Sequence, residues 1–228
     1  IITTNDRTSF KLDPPEVVKD YFRGRGCEFV EVPNDPALRE VASWVPLWER
    51  VEEFQDTDDP VFYCHAKAVT RPWNPGVTCH PWTRVMFSSL LDFWPKVADE
   101  LRQWPIAGSF KKVGHGFTGS ASTWHYSGSF FWIRCSEAFK FGRWRVIDNV
   151  WWGNESWPGR HFPPEHAGFI FKSGTVPSLN NYDPNFLFGS VVPEFQSWCR
   201  DHQNERTIFQ IKAFPALDNR QLLRTDTG

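Results

Sequence analysis

Three short stretches carry residue types that could handle a charged or sugar-like substrate. The first is His65-Ala66-Lys67, with Arg71 close behind. Lys67 and Arg71 could neutralise a diphosphate while His65 donates it a hydrogen bond. The second is Trp124-His125-Tyr126-Ser127-Gly128-Ser129-Phe130-Phe131-Trp132-Ile133-Arg134, a Ser-Gly-Ser flanked by large aromatics. Glycine there lets a ligand or another chain approach the backbone. The third is Trp151-Trp152-Gly153-Asn154-Glu155-Ser156-Trp157-Pro158-Gly159, a carboxylate among indoles. An apolar setting raises a carboxylate's pKa and suits a general base that deprotonates a sugar hydroxyl. Each stretch also has a plainer reading. His65 and Lys67 could be a satisfied histidine and a surface lysine. Residues 124–134 could be a buried aromatic strand, and Glu155 a structural acceptor.

These residues need elements to hold them. Ile1 to Thr4 reads as a strand, and Asp13-Pro14-Pro15-Glu16 as a helix start with Asp13 capping. Val17, Val18, Tyr21 and Phe22 form that helix's apolar face, Gly24 and Gly26 end it, and Cys27 to Val32 reads as a strand. Leu38, Val41, Val45, Trp48, Val51 and Phe54 recur at helical steps, with Pro46 kinking or dividing the helix. Val61 to Cys64 is a compact apolar strand, so His65 follows at its carboxyl end, where open parallel sheets collect ligands. A long helix carries Val85, Met86, Leu90, Leu91, Trp94, Val97, Ala98 and Leu101 on one stripe, and Ile106 to Phe110 can form a strand. In the second stretch Phe131 and Ile133 are expected to face the core and Phe130 and Trp132 the other side. Helical periodicity fades from about Gly114, and short strands with loops are expected as far as Pro163. Pro193 to Cys199 reads as a short helix, and the tail from Arg220 is polar.

The alternation β-α-β-α-β-α-β predicts an α/β fold with a mostly parallel sheet flanked by helices, followed by an aromatic-rich irregular half. The 228 residues fit a single domain, with residues 1–113 as one half and 114–228 as the other. A net charge of −2 without like-charge blocks excludes the footprint of a nucleic-acid binder. No apolar run approaches a membrane span and no signal-peptide pattern is visible, so a cytoplasmic place is expected. The five cysteines are widely spaced, which argues for free thiols over a disulfide framework or zinc ribbon. The histidines are scattered without a metal-ligand spacing, and Asp58-Asp59 precedes its strand and reads as a turn. Thirteen tryptophans exceed what one site could use, so most belong to the core and two or three to a pocket.

In this order the three stretches resemble a family of bacterial-type glycosyltransferases with a GT-A-like fold. That family shows a Tyr-x-His-x-Lys-Gly signature, an amphipathic helix, a His-Phe-Ser-Gly-Asn-Phe-Trp-Trp block, and a Glu followed by an aromatic. Here they read Tyr63-Cys64-His65-Ala66-Lys67-Ala68, then His125-Tyr126-Ser127-Gly128-Ser129-Phe130-Phe131-Trp132, then Glu155-Ser156-Trp157, and the likeness spans residues 28–171. Ala68 replaces the usual Gly and Ser129 the usual Asn.

The resemblance implies transfer of a sugar from a nucleotide-sugar donor to a glycan acceptor, in surface polysaccharide assembly. His65, Lys67 and Arg71 would meet the donor phosphates. His125, Ser127, Gly128, Ser129, Trp132, Trp152 and Trp157 would hold sugar or acceptor, with Glu155 as base or acceptor-orienting carboxylate. The strand ending in His65 stands where most GT-A enzymes carry an acidic metal motif, which implies transfer without a divalent metal and no prosthetic group. If the native chain extends upstream of Ile1, part of the nucleotide site lies there. A rival reading is a carbohydrate-binding or catalytically inactive relative. A glycoside hydrolase would need a second carboxylate, with Asp148 or Glu165 the candidates.

Overall fold

The computed structural model describes residues 2–3, 15–33, 35–65, 80–114, 116–173 and 187–206. Asp13, Lys67, Ala68, Arg71, Cys79 and the tail from Arg220 lie outside them. The first half runs β1 (Ile2–Thr3), α1 (Pro15–Phe22), β2 (Glu31–Val32), α2 (Trp44–Glu49), β3 (Pro60–Tyr63), α3 (His80–Phe87), α4 (Trp94–Gln103) and β4 (Ile106–Gly108). The second half runs β5 (Lys111–Val113), β6 (Trp124–Tyr126), β7 (Phe131–Arg134), α5 (Cys135–Phe139), α6 (Gly153–His161), β8 (Ala167–Phe169) and α7 (Val192–Asp201). The alternation expected for the first half is present. Pro46 sits in the first turn of α2, where its missing N–H costs little, and short 3-10 turns at Arg39–Ser43 and Glu52–Phe54 flank that helix. The expected long helix is divided at Ser88–Asp92, a π turn. The Leu90 carbonyl in that turn accepts the Trp132 indole N–H at 2.8 Å.

The sheet departs from the expected mostly parallel one. β1 and β2 pair in parallel by themselves, while the main sheet has order β3-β7-β4-β8. β3, β4 and β8 run one way, and β7 runs against both its neighbours. The reason lies in the chain between β4 and β7. Gly108 faces Phe131 and Lys111 faces Tyr126, so β4–β5 and β6–β7 are the two arms of one bent antiparallel hairpin. A hairpin's second arm must return antiparallel, so β7 enters the sheet reversed between β3 and β4. The two halves of the chain therefore share one sheet.

At the bend the register leaves Ser109 and Phe110 opposite the four residues Ser127 to Phe130, an enlarged bulge. Phe110 (φ 56°), Gly128 (φ 97°) and Ser129 (φ 59°) all take left-handed backbone there. Such conformations cost free energy in non-glycine residues and cluster at functional sites.

The sheet separates two cores, and strand residues alternate between them as period two requires. Phe62, Ala107 and Trp132 join α3, α4 and α7 on one face. Val61, Tyr63, Ile106, Phe131, Ile133 and Ala167 join Trp44, Trp48, Trp124 and Trp157 on the other. Phe131 and Ile133 do face opposite to Phe130 and Trp132, but the second pair meets a core of its own rather than lying off the core. No described helix is long and apolar enough to cross a membrane.

Burial holds the Tyr63 and Tyr126 hydroxyls protonated far above the ordinary tyrosine value of 10.0. Tyr126 donates to the Gly168 carbonyl at 2.6 Å. Both folded pKa values are raised, so their contribution to stability is complete below pH 10 and is lost as pH rises beyond it. Urea midpoints are expected to hold to about pH 10 and then fall steeply, with Tyr126→Phe flattening that fall. An unchanged slope in the variant would remove Tyr126 from the account.

Candidate functional site

The bulge at Gly128 lies at the carboxyl end of β3, β4 and β8, because Tyr63, Gly108 and Phe169 end their strands level with Phe131. His65 leaves that edge, and its Nε2 lies 3.0 Å from the Gly128 carbonyl. A carbonyl only accepts, so Nε2 carries the proton. The other ring nitrogen, Nδ1, lies 3.7 Å from a Glu40 carboxylate oxygen. The far side of the same glycine is held as well, since its N–H donates to Glu155 Oε1 at 2.9 Å. Residues 63 and 27 positions apart in the chain thus grip one residue from both sides.

Glu155 rides in the first turn of α6, where the helix dipole favours a negative charge. A helix here is a departure from the loops expected up to Pro163. Its carboxylate is 21% exposed and stands 3.9 Å from His125 Nε2. Lys112 pairs with His125 across β5 and β6 and is itself buried. Burial holds its ammonium below the usual lysine range, and the Glu155 charge pulls the other way. Glu155 therefore meets a peptide N–H, an imidazole and a buried cation rather than the three indoles its sequence neighbours foretold.

Those indoles divide sharply. Trp157 is 0% exposed, stacks on Phe131 at 6.2 Å and donates its N–H to the Arg143 carbonyl at 3.0 Å. It is a core residue and cannot be a sugar plate. Trp132 is likewise engaged, packed against Phe62 and Trp94. Trp152 lies parallel to Phe117 at 5.0 Å and 7°, and Phe117 also meets the His125 ring at 4.9 Å. Trp151 is 50% exposed.

The bulge itself is scaffold. Ser127 and Ser129 are buried, and a Cβ at Gly128 would come within 2.7 Å of Met86 Sδ. The close approach that glycine permits is by Met86 and Trp82 of α3, not by a ligand. His65 commits its Nε2 proton to the Gly128 carbonyl, which suits positioning better than a direct phosphate contact. Lys67 and Arg71 lie outside the described residues. Asp148, one of the two carboxylates that a hydrolase could set beside Glu155, is engaged by its neighbours. Its oxygens accept from Ser120 at 2.8 Å, Ser156 at 2.9 Å and Arg160, tying the 146–152 loop to α6.

Among the described residues no group of three His, Cys, Asp or Glu could hold a metal, and Asp58 accepts from Ser136 at the opposite end of the sheet. The residues that sequence reasoning passed over are Glu40, Lys112 and Phe117. Lys112 looks like any surface lysine beside Lys111, and only strand alternation hinted that the two point opposite ways. Comparison with protein-family models, with curated proteins and with solved structures finds no match to this chain.

Proposed function

We propose that this chain is a glycosyltransferase that moves a sugar from a nucleotide-sugar donor to a glycan acceptor, with Glu155 as the base or acceptor-orienting carboxylate. The observation that carries the reading is the double grip on Gly128. The three motif stretches of the resemblance are far apart in sequence, and His65, Gly128 and Glu155, one from each, meet through hydrogen bonds of 3.0 and 2.9 Å. A second observation agrees with it. Ser129 has φ 59°, a conformation Asn adopts more readily than Ser, and Asn is the residue the family usually carries there.

In this reading the donor approaches the carboxyl edge of β3 and the segment that follows it, which carries Lys67 and Arg71. The acceptor lies on the side of Trp151, Trp152 and Phe117. The glycan belongs to surface polysaccharide assembly, and the transfer needs no divalent metal.

A nucleoside diphosphate at roughly a hundredfold excess over its Kd is expected to stabilise the fold by about 2.7 kcal/mol. For a chain of this size that is roughly 5–10 °C in Tm. A panel of UDP, GDP, dTDP and CDP tested by thermal shift checks it, followed by donor turnover with and without EDTA. No shift with any of the four would favour a carbohydrate-binding protein instead, and turnover lost in EDTA and restored by manganese would overturn the metal-independent step.

A further inference from the structure

Arg39 is an outlier on three counts. It is a non-glycine residue with φ 52°, a conformation that costs free energy in any residue with a side chain. Its guanidinium lies over the ring of Trp151, 5.0 Å from the centroid, and that half-exposed indole stands just ahead of α6. It also makes no ion pair among the described residues, although acids flank it in sequence. Glu40 is turned toward His65 at 3.7 Å. The Asp35 carboxylate accepts the backbone N–H groups of Ala37 at 2.8 Å and Leu38 at 3.2 Å.

The turn bearing Arg39 also borders the candidate site, because a carboxylate oxygen of the next residue, Glu40, lies 3.7 Å from the His65 that grips Gly128. Trp151 stands on the chain immediately before the first turn of α6, which carries Glu155. A strained backbone thus holds a cation, without an ion pair among the described residues, against a half-exposed aromatic plate four residues ahead of the carboxylate assigned to the chemistry.

We propose that Arg39 and Trp151 form an acceptor subsite for a sugar residue bearing a carboxylate, a hexuronate. The indole takes the C–H face of the pyranose ring. The carboxylate at C5 lies at the ring's edge, where the planar guanidinium, swung off the indole face it covers in the free protein, can pair with it through two N–H donors. The inference names the acceptor class for the transfer proposed above and rests on that reading for its catalytic meaning, but the binding itself is testable alone.

The test is saturation-transfer NMR titration of the full chain with methyl β-D-glucuronide and methyl β-D-glucoside at low salt. The glucuronide is expected to bind at least about tenfold more tightly. Arg39→Gly suits the left-handed backbone and so keeps the turn, and it should bring the two ligands level. Trp151→Ala, at an exposed position, should lose both. Equal affinities in the wild type, binding of neither ligand, or a preference that survives Arg39→Gly would overturn the subsite. A glucuronide preference without stabilisation by any nucleoside diphosphate would leave the subsite standing and remove the transferase.

Discussion

Glu155→Gln is expected to reduce sugar transfer by roughly a thousandfold, the middle of the range that general acid–base groups contribute, while nucleotide binding stays within about twofold of wild type. The substitution isolates charge. The Gln Oε1 can still accept the Gly128 N–H, which the carboxylate accepts at 2.9 Å, so the grip on the bulge survives. What is lost is the ability to take a proton from an acceptor hydroxyl. The negative charge that balances the buried Lys112 and stands 3.9 Å from His125 goes with it. Glu155→Ala is the less informative variant, because it also frees the Gly128 N–H and confuses chemistry with folding. Single-turnover transfer measured beside a nucleotide titration separates the outcomes. Wild-type-like turnover in Glu155→Gln would remove the carboxylate from the chemistry, and loss of nucleotide binding would place it on the donor side.

Much of the frame was legible in the residues because it depends on local rules. Val61 to Cys64 reads as a strand from its composition, and alternation alone separated Phe131 and Ile133 from Phe130 and Trp132, though not that each face meets a core. The three motif stretches were legible as types, but their geometry was not. Nothing local says that residues 109–110 oppose 127–130, since that register is set by pairings on both sides of the bend. The reversed β7 follows from the same hairpin. The roles of the tryptophans were the least legible. Trp151 and Trp157 look alike in sequence, yet one is half exposed and the other enclosed. Which it is depends on where α6 packs, and α6 was itself missed. Gly153, Pro158 and Gly159 argue against a helix on propensity, and the packing of the helix against β6 overrides them.

Gly159→Ala tests that packing, and it is expected to be among the most damaging small substitutions at the described residues. A Cβ there would lie 1.9 Å from the Trp124 carbonyl oxygen and 2.2 Å from Ser122 Oγ. The nearer of the two is backbone and cannot swing away as a side-chain end could. The Trp124 carbonyl is strand backbone that accepts from Ser122 Oγ at 2.5 Å, and the Trp124 indole is tied to the Phe162 carbonyl at 2.7 Å. Real Cβ contacts essentially never fall below 3.0 Å, so α6 must retreat from β6 by more than an ångström. Overpacking of this kind costs about 3 kcal/mol. The retreat also draws Glu155 away from Gly128, and a misplacement of about 1 Å at reacting groups lowers turnover roughly a hundredfold. Gly142→Ala is the control. It has φ 67° and nothing within 4 Å of its Cβ, so it bears only the cost of left-handed backbone, about 1 kcal/mol, and it leaves the site in place. Urea midpoints and turnover for the two variants decide the matter. If Gly142→Ala proved as damaging as Gly159→Ala, or if Gly159→Ala kept full activity, the close seating of α6 on β6 could not be what holds Glu155 against the bulge.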